Sequence, residues 1–344
     1  MVQLKKLIKK ILIFVGIQPP IKIPSIEGFQ HWSETSALEL KKNSLDAIVN
    51  RVRLKKDHNY YNLILKTYIS SFEDKFKSTK FIGYGVGKEN LNCYRKIVFL
   101  ESNEELFEKV YFTDNDKLKS LLWFEENEFL RESQELIIPK VKKVLQGEFL
   151  TAVYFEYVKL SPLNLELVNS SLNKVAIALY NNSLDFEGID EIPEFFKEYK
   201  NHNYYKKNIN NTVQKFDEVI DFYKLNKNIK DGFFVISHGD LSETNVCQNN
   251  VVIDWDSCGY FPLGLDVAKI YFRLIANDKY DTHFEAWLIN NYQAHVKKEH
   301  WLNLHQNFMY FLLIFIQDPS LKATSKLQEL EAKLLVKVSQ QGTI

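Results

Sequence analysis

Apolar and polar residues alternate in three consecutive stretches, roughly 80–86, 92–100 and 105–112, and this period of two predicts three β-strands. From 117 to 133 the apolar spacing lengthens to that of a helix. Alternation returns near 138–145 and 150–158, with Pro139 marking the change. Beyond Pro162 helical periodicity dominates, broken by a hairpin-like section at 234–254. Upstream, Ala37, Leu38, Leu40, Leu45, Ile48 and Val49 form one helical pattern within 36–50; Tyr61, Leu63, Ile64, Tyr68 and Ile69 form another within 58–76. The order predicts an α+β fold with three segments: accessory helices over 1–77, a small β-rich lobe over 78–160 and a larger, mostly helical lobe over 161–344.

The first residues have a character of their own. Leu4, Leu7, Ile8, Ile11 and Val15 keep helical spacing, with Lys5, Lys6, Lys9 and Lys10 on the other faces. The apolar run 11–17 is too short to cross a bilayer, and Pro19-Pro20 ends a helix. A secretory signal would need a longer apolar core and a small-residue cleavage site. Residues 4–17 suit peripheral contact with an anionic membrane surface, lysines at the headgroups. They equally suit a helix packed on its own domain, and the pattern leaves both open.

Composition narrows the function classes. Hydrophobic residues make up 45% and charged residues 26% of 344, values ordinary for a globular protein with a sizeable core. Lys+Arg and Asp+Glu both number 44, so no global field argues for nucleic acid as a partner. Cys93, Cys247 and Cys258 have neither a CxxC nor a metal-ligand spacing, which suits a reducing, cytoplasmic compartment. Glycine is sparse, at 12, so Gly83, Gly85 and Gly87 stand out as a cluster.

The chemistry concentrates in SHGDLSETNVCQNNVVIDWDSCGYFPLGLDVAKIYF, residues 237–272. Asp240 precedes Asn245 by five residues, Asp254 follows a short apolar strand, and Asp266 stands before Val267-Ala268. One carboxylate to orient a hydroxyl, and an amide and a second carboxylate as hard oxygen ligands for Mg²⁺, are what phosphoryl transfer asks of a protein. This reading makes Asp240 the catalytic residue and Asn245 and Asp254 the metal ligands. The nine residues from Asn245 to Asp254 are few. A tight turn at Asn249-Asn250, where Asn tolerates positive φ, closes 246–248 against 251–253 and brings the two ligands together.

This segment resembles the aminoglycoside phosphotransferase/choline kinase superfamily, whose signature runs H-G/N-D-x4-N, then I-D-W/F, then a D-L-A-like triplet. Here the matching residues are His238, Gly239, Asp240 and Asn245; Ile253, Asp254 and Trp255; and Asp266, Val267 and Ala268. The resemblance implies a two-lobed, protein-kinase-like fold with ATP and Mg²⁺ as cofactors. It implies that His238 and Asp266 brace the catalytic loop without touching substrate. The chain departs from the pattern in its short 245–254 interval and in Tyr180, where many relatives carry His; the latter position reads as structural.

For the nucleotide, Gly83, Gly85 and Gly87 lie between strand-like runs where bare backbone N–H groups can cover phosphates. Lys109, in the alternating run LFEKVYF, is the candidate for the α- and β-phosphates, with Lys96 one strand earlier as its competitor. Among Glu125, Glu126 and Glu128, Glu126 is favoured as the lysine's partner because Phe129 and Leu130 then follow at i+3 and i+4. The segment 155–158 reads as the hinge.

The acceptor is the least legible part. Trp287, Tyr292, Trp301, Phe308, Tyr310 and Phe311 offer aromatic faces for a cation such as choline, yet a run like 308–316 is more often plain helix core. The expected acceptor is a hydroxyl of a small molecule, a sugar or, with residues 4–17 at a membrane, a lipid-linked saccharide. Two alternatives stand beside it. A protein kinase is disfavoured by Gly239 before Asp240 and by only eleven residues between Asp254 and Asp266. A catalytically inactive nucleotide-binding relative is disfavoured because Asp240, Asn245, Asp254 and a lysine are all present.

Overall fold

In the computed structural model, residues 58–84, 93–126, 136–159, 165–184, 192–197, 203–247, 251–276, 283–318 and 325–341 are described below. Gly85, Gly87, Glu128, the Asn249-Asn250 turn and the segments 4–17 and 36–50 lie outside them.

The chain divides into two compact units, Met1–Thr113 with Lys143–Tyr154, and Asp114–Lys142 with Phe155–Ile344. The chain passes from the first unit to the second at Tyr154/Phe155, and the units interleave along the chain.

The first unit is built on a five-stranded sheet. Helix α1 (His58–Tyr68) precedes β1 (Phe76–Tyr84), β2 (Cys93–Phe99) and β3 (Glu105–Phe112); β4 (Val141–Gln146) and β5 (Leu150–Glu156) complete the order β1-β2-β3-β5-β4. β1–β2 and β2–β3 are antiparallel, with a register shift between Phe81 and Gly83. The buried side of the sheet (Ile97, Leu106, Val110, Phe112, Leu150, Ala152 and Tyr154) packs with Tyr61, Ile64 and Leu65 of α1 in one core. That helix is thus part of the sheet's core, each large side chain contributing about 1.5–3 kcal/mol of burial. Within this core the Arg95 guanidinium forks onto Glu108 with contacts of 2.6 and 2.9 Å, both side chains fully buried, and also donates to Asn62. Burial disfavours an isolated charge on either residue, so the pair is sustained by its two bonds, Asn62 and the Tyr61 ring 4.5 Å from the guanidinium.

The second unit holds α2 (Asp116–Glu126), α3 (Leu165–Leu184), α4 (Glu194–Lys197), α5 (Asn203–Phe216), α6 (Phe222–Lys230), β6 (Phe234–Ser237), β7 (Gly259–Pro262), α7 (Leu265–Ala276), α8 (Phe284–Tyr292), α9 (Trp301–Ile316) and α10 (Ser325–Gln341). α7 and α9 are apolar almost all round and pack as the central helices, as helices without a polar face must. Trp287, Tyr292, Phe308, Tyr310 and Phe311 are all buried, with Trp287 ringed by Tyr271, Tyr292 and Phe308. These aromatics are core. Tyr180 is structural too, its hydroxyl accepting from Lys297 N–H and meeting His300 Nδ1.

The expected hairpin at 234–254 is in fact two nested pairings. β6 pairs antiparallel with β7, from Phe234↔Pro262 to Ser237↔Gly259, and the chain between them carries a small inner bridge, Val246↔Val252. Among the described residues no helix is long and apolar enough to cross a membrane.

Candidate functional site

β6 ends at Ser237 and delivers His238, Gly239 and Asp240 to a loop shaped by Asp266 at the start of α7. Asp266 Oδ2 accepts the His238 N–H at 2.7 Å and Oδ1 accepts the Gly239 N–H at 2.9 Å. Burial pushes the Asp266 carboxyl up, while the two amides pull against it. The bracing role implied for Asp266 is visible in these bonds.

His238 is braced on both ring nitrogens. Nε2–H donates to Ile253 O at 2.9 Å, so Nδ1 is the unprotonated nitrogen and accepts the Asp240 N–H at 3.3 Å. The ring lies 4.7 Å from that of Trp255.

Ile253 is the pivot that sequence reasoning missed. Its carbonyl takes the His238 proton, and its own N–H donates to Asn245 O at 2.9 Å. The Cys247 N–H to Val251 O bond, 2.8 Å, continues this inner pairing. The 245–254 interval therefore closes on itself despite its length, and Asp254 follows directly on a residue tied to both Asn245 and the histidine.

The side chains at the opening are aimed by the same network. Asn245 Nδ2 donates to Asp240 O at 2.9 Å, which assigns its Oδ1 to the other side. Asp254 is exposed, in left-handed backbone at φ 66°, ψ 51°, a conformation that Asp and Asn adopt more readily than other residues with a side chain. Asp240, with 45% of its side chain exposed, lies 3.2 Å from Lys269 Nζ of α7. Lys269 was not among the sequence candidates; a lysine three residues after Asp266, in a helix whose other charged residues are Asp266 and Arg273, was the available signal. Among the described residues no cluster of three or more His, Cys, Asp or Glu makes a ready-built cage. A buried Asn amide and an exposed carboxylate, linked through Ile253, fit Mg²⁺ delivered with phosphates, because Mg²⁺ keeps waters and substrate oxygens as its other ligands.

The remaining candidates fall elsewhere. Lys109 belongs to the sheet unit, 5% exposed, its Nζ 5.4 Å from the ring centres of Tyr94 and Tyr111. Its neighbour Glu108 points into the core with Arg95, so alternation turns Lys109 to the opposite face. Gly83 sits in the ladder opposite Tyr94, at the register shift. Lys96 pairs with Glu105. Glu126 belongs to the helical unit, exposed at the end of α2, and Glu125 accepts the Val141 N–H at 3.3 Å. α2 itself is fastened beside the site loop, Phe124 stacking on Trp255 at 4.8 Å and 12°.

No family model matches the chain, and no curated protein matches it. Among solved structures it is similar to a spectinomycin phosphotransferase in complex with ADP and spectinomycin, at 12% identity and a TM-score of 0.42, over 83% of this chain and 98% of that one. It is also similar to a choline kinase from Cryptosporidium parvum Iowa II (13%, TM-score 0.43, 83% and 94%). A type VIII aminoglycoside-3'-phosphotransferase is a third (16%, TM-score 0.40, 80% and 98%). These likenesses concern overall form, at identities too low to carry a substrate across.

Proposed function

We propose that this protein is a Mg·ATP-dependent phosphotransferase that moves the γ-phosphoryl group onto a hydroxyl of a small molecule or saccharide. The observation that carries the reading is the way Ile253 and His238 tie Asp240, Asn245 and Asp254 into one loop cluster. Asp240 accepts the acceptor's hydroxyl hydrogen bond and aims the oxygen. As the new O–P bond forms and the bond to the ADP oxygen breaks, the hydroxyl proton passes to Asp240. Asn245 Oδ1 and the Asp254 carboxylate are the hard oxygens that would hold Mg²⁺, which would supply positive charge to neutralise the phosphate oxygens. Lys109 serves the α- and β-phosphates, Gly83, Gly85 and Gly87 the phosphate cover, and Glu126 the lysine. This division of labour follows the family resemblance of residues 237–272.

Gly239, where a protein kinase usually has Arg, and the short 254–266 interval favour a small acceptor over a docked peptide. The burial of Trp287, Tyr292, Phe308, Tyr310 and Phe311 removes them as a cage for a quaternary ammonium. Sugars and polyols therefore head the acceptor panel. Lipid-linked saccharides come next, on the amphipathic pattern of residues 4–17. A reducing, cytoplasmic setting goes with the cysteine usage.

The test is ADP release from Mg·ATP by the full chain over sugars, polyols, aminoglycosides, choline and glycolipids, beside thermal stabilisation by Mg·ATP. Acceptor-dependent release that Asp240→Ala abolishes, with Mg·ATP stabilisation kept, supports the reading. No stabilisation by any nucleotide rejects it, and stabilisation without turnover on any acceptor favours the inactive relative.

A further inference from the structure

One side of α7 carries Asp266, Lys269 and Arg273, at i, i+3 and i+7, and all three reach the loop that holds Asp240. Asp266 accepts the backbone N–H groups of His238 and Gly239. Lys269 Nζ lies 3.2 Å from Asp240 Oδ1. Arg273 forks onto Glu243, with Nη2 2.8 Å from Oε1 and Nε 3.2 Å from Oε2. A single helix face thus grips the loop at three successive places, and the middle one is the carboxylate assigned to the acceptor.

The Lys269 side chain is 10% exposed against 45% for Asp240. Its ammonium also lies 5.2 Å from the Phe315 ring centre on α9, so two packed helices set where the charge points. A carboxylate at the end of a loop rotates readily about its last bond. A nearly buried ammonium against Oδ1 fixes that rotation and turns Oδ2 to the hydroxyl. Burying a lysine costs free energy unless its charge is compensated, and here the compensation is the Asp240 carboxylate.

We propose that Lys269 is the positioning residue of the phosphotransfer site, acting through Asp240 and independently of nucleotide binding. The proposal rests on the phosphotransferase reading above. It also accounts for a lysine on a helix whose other residues are nearly all buried and apolar.

The test compares Lys269→Met, which keeps the stem against Phe315, and Lys269→Arg, which keeps the charge, in the full chain. Thermal stabilisation by Mg·ATP and the KM for Mg·ATP stay at wild-type values in both. Mg·ATP turnover, with water or the best alcohol of the panel as acceptor, falls about 10²-fold in kcat for Lys269→Met, the loss that a misplacement of about 1 Å brings. Lys269→Arg restores most of it. An active wild type beside an equally active Lys269→Met overturns this assignment alone. So does a loss that Arg fails to restore and that tracks a lower unfolding temperature. A wild type that neither binds nor turns over Mg·ATP overturns the phosphotransferase reading, and this proposal with it.

Discussion

Gly239 directs its N–H at Asp266 Oδ1, 2.9 Å away, from a backbone at φ +76°. Glycine reaches this conformation at no steric cost, and the space is equally restrictive: a Cβ there would lie 2.0 Å from Ser257 O. Gly239→Ala therefore strains the backbone and pushes the loop off the carbonyl. The expected cost is at least about 1–3 kcal/mol in urea unfolding, with turnover lost. An alanine variant of wild-type stability and activity would show that the loop has another conformation available.

Asp254 allows its geometry and its charge to be separated. Asn tolerates left-handed backbone nearly as well as Asp, so Asp254→Asn keeps the turn and removes the anionic oxygen. The variant should unfold at the wild-type temperature. It should need at least about tenfold more Mg²⁺ for half-maximal stabilisation by ATP, since losing even an outer partner of a metal ligand costs that much. Asp254→Val, β-branched in the same conformation, should lower the unfolding temperature as well.

The Arg95–Glu108 pair concerns stability alone. Glu108→Ala leaves a guanidinium in the core of the sheet unit without its carboxylate, at an expected cost of about 3–5 kcal/mol. Chemical denaturation measures it. Replacing both residues together, as Arg95→Met with Glu108→Leu, should recover most of the loss, because no charge is then stranded.

His300 gives stability an acid limb. Its ring stacks on Phe233 at 3.8 Å and its Nδ1 lies 3.0 Å from the Tyr180 hydroxyl. Burial lowers the His300 pKa from 6.5, with Glu299 opposing and Lys297 assisting, and burial lowers that of His305 against Glu285. Below pH 6.5 the unfolded chain takes up protons that the native state resists, so stability falls as pH drops from 6.5 through the native values. Unfolding temperatures between pH 7.5 and 5 should fall less steeply for His300→Phe than for wild type. An unchanged slope would assign the acid limb to other groups.

The site was legible where function imposes short spacing. Asp240, Asn245 and Asp254 could be singled out because a loop and a tight return bring them together within fifteen residues, and the inner pairing of 245–247 with 251–253 follows from that spacing. Lys269 stayed hidden because its partner lies 29 positions away. A helical lysine reads as solvated until packing places it beside a carboxylate. Ile253 was invisible for another reason: its part is played by its N–H and C=O, which every residue but proline carries.

Periodicity alone determined the order of strands and helices, because alternation and helical spacing are local consequences of which face is buried. It also determined that 308–316 was apolar enough to be core. Tertiary structure decided what local pattern cannot encode: that α1 belongs to the sheet's core, that α2 stacks Phe124 on Trp255, and that β6 pairs with β7 across the chain from His238 to Cys258. Each of these is a contact between residues far apart in sequence. Such contacts form by burial and hydrogen-bond complementarity, which depend on the residues brought together and not on their spacing along the chain.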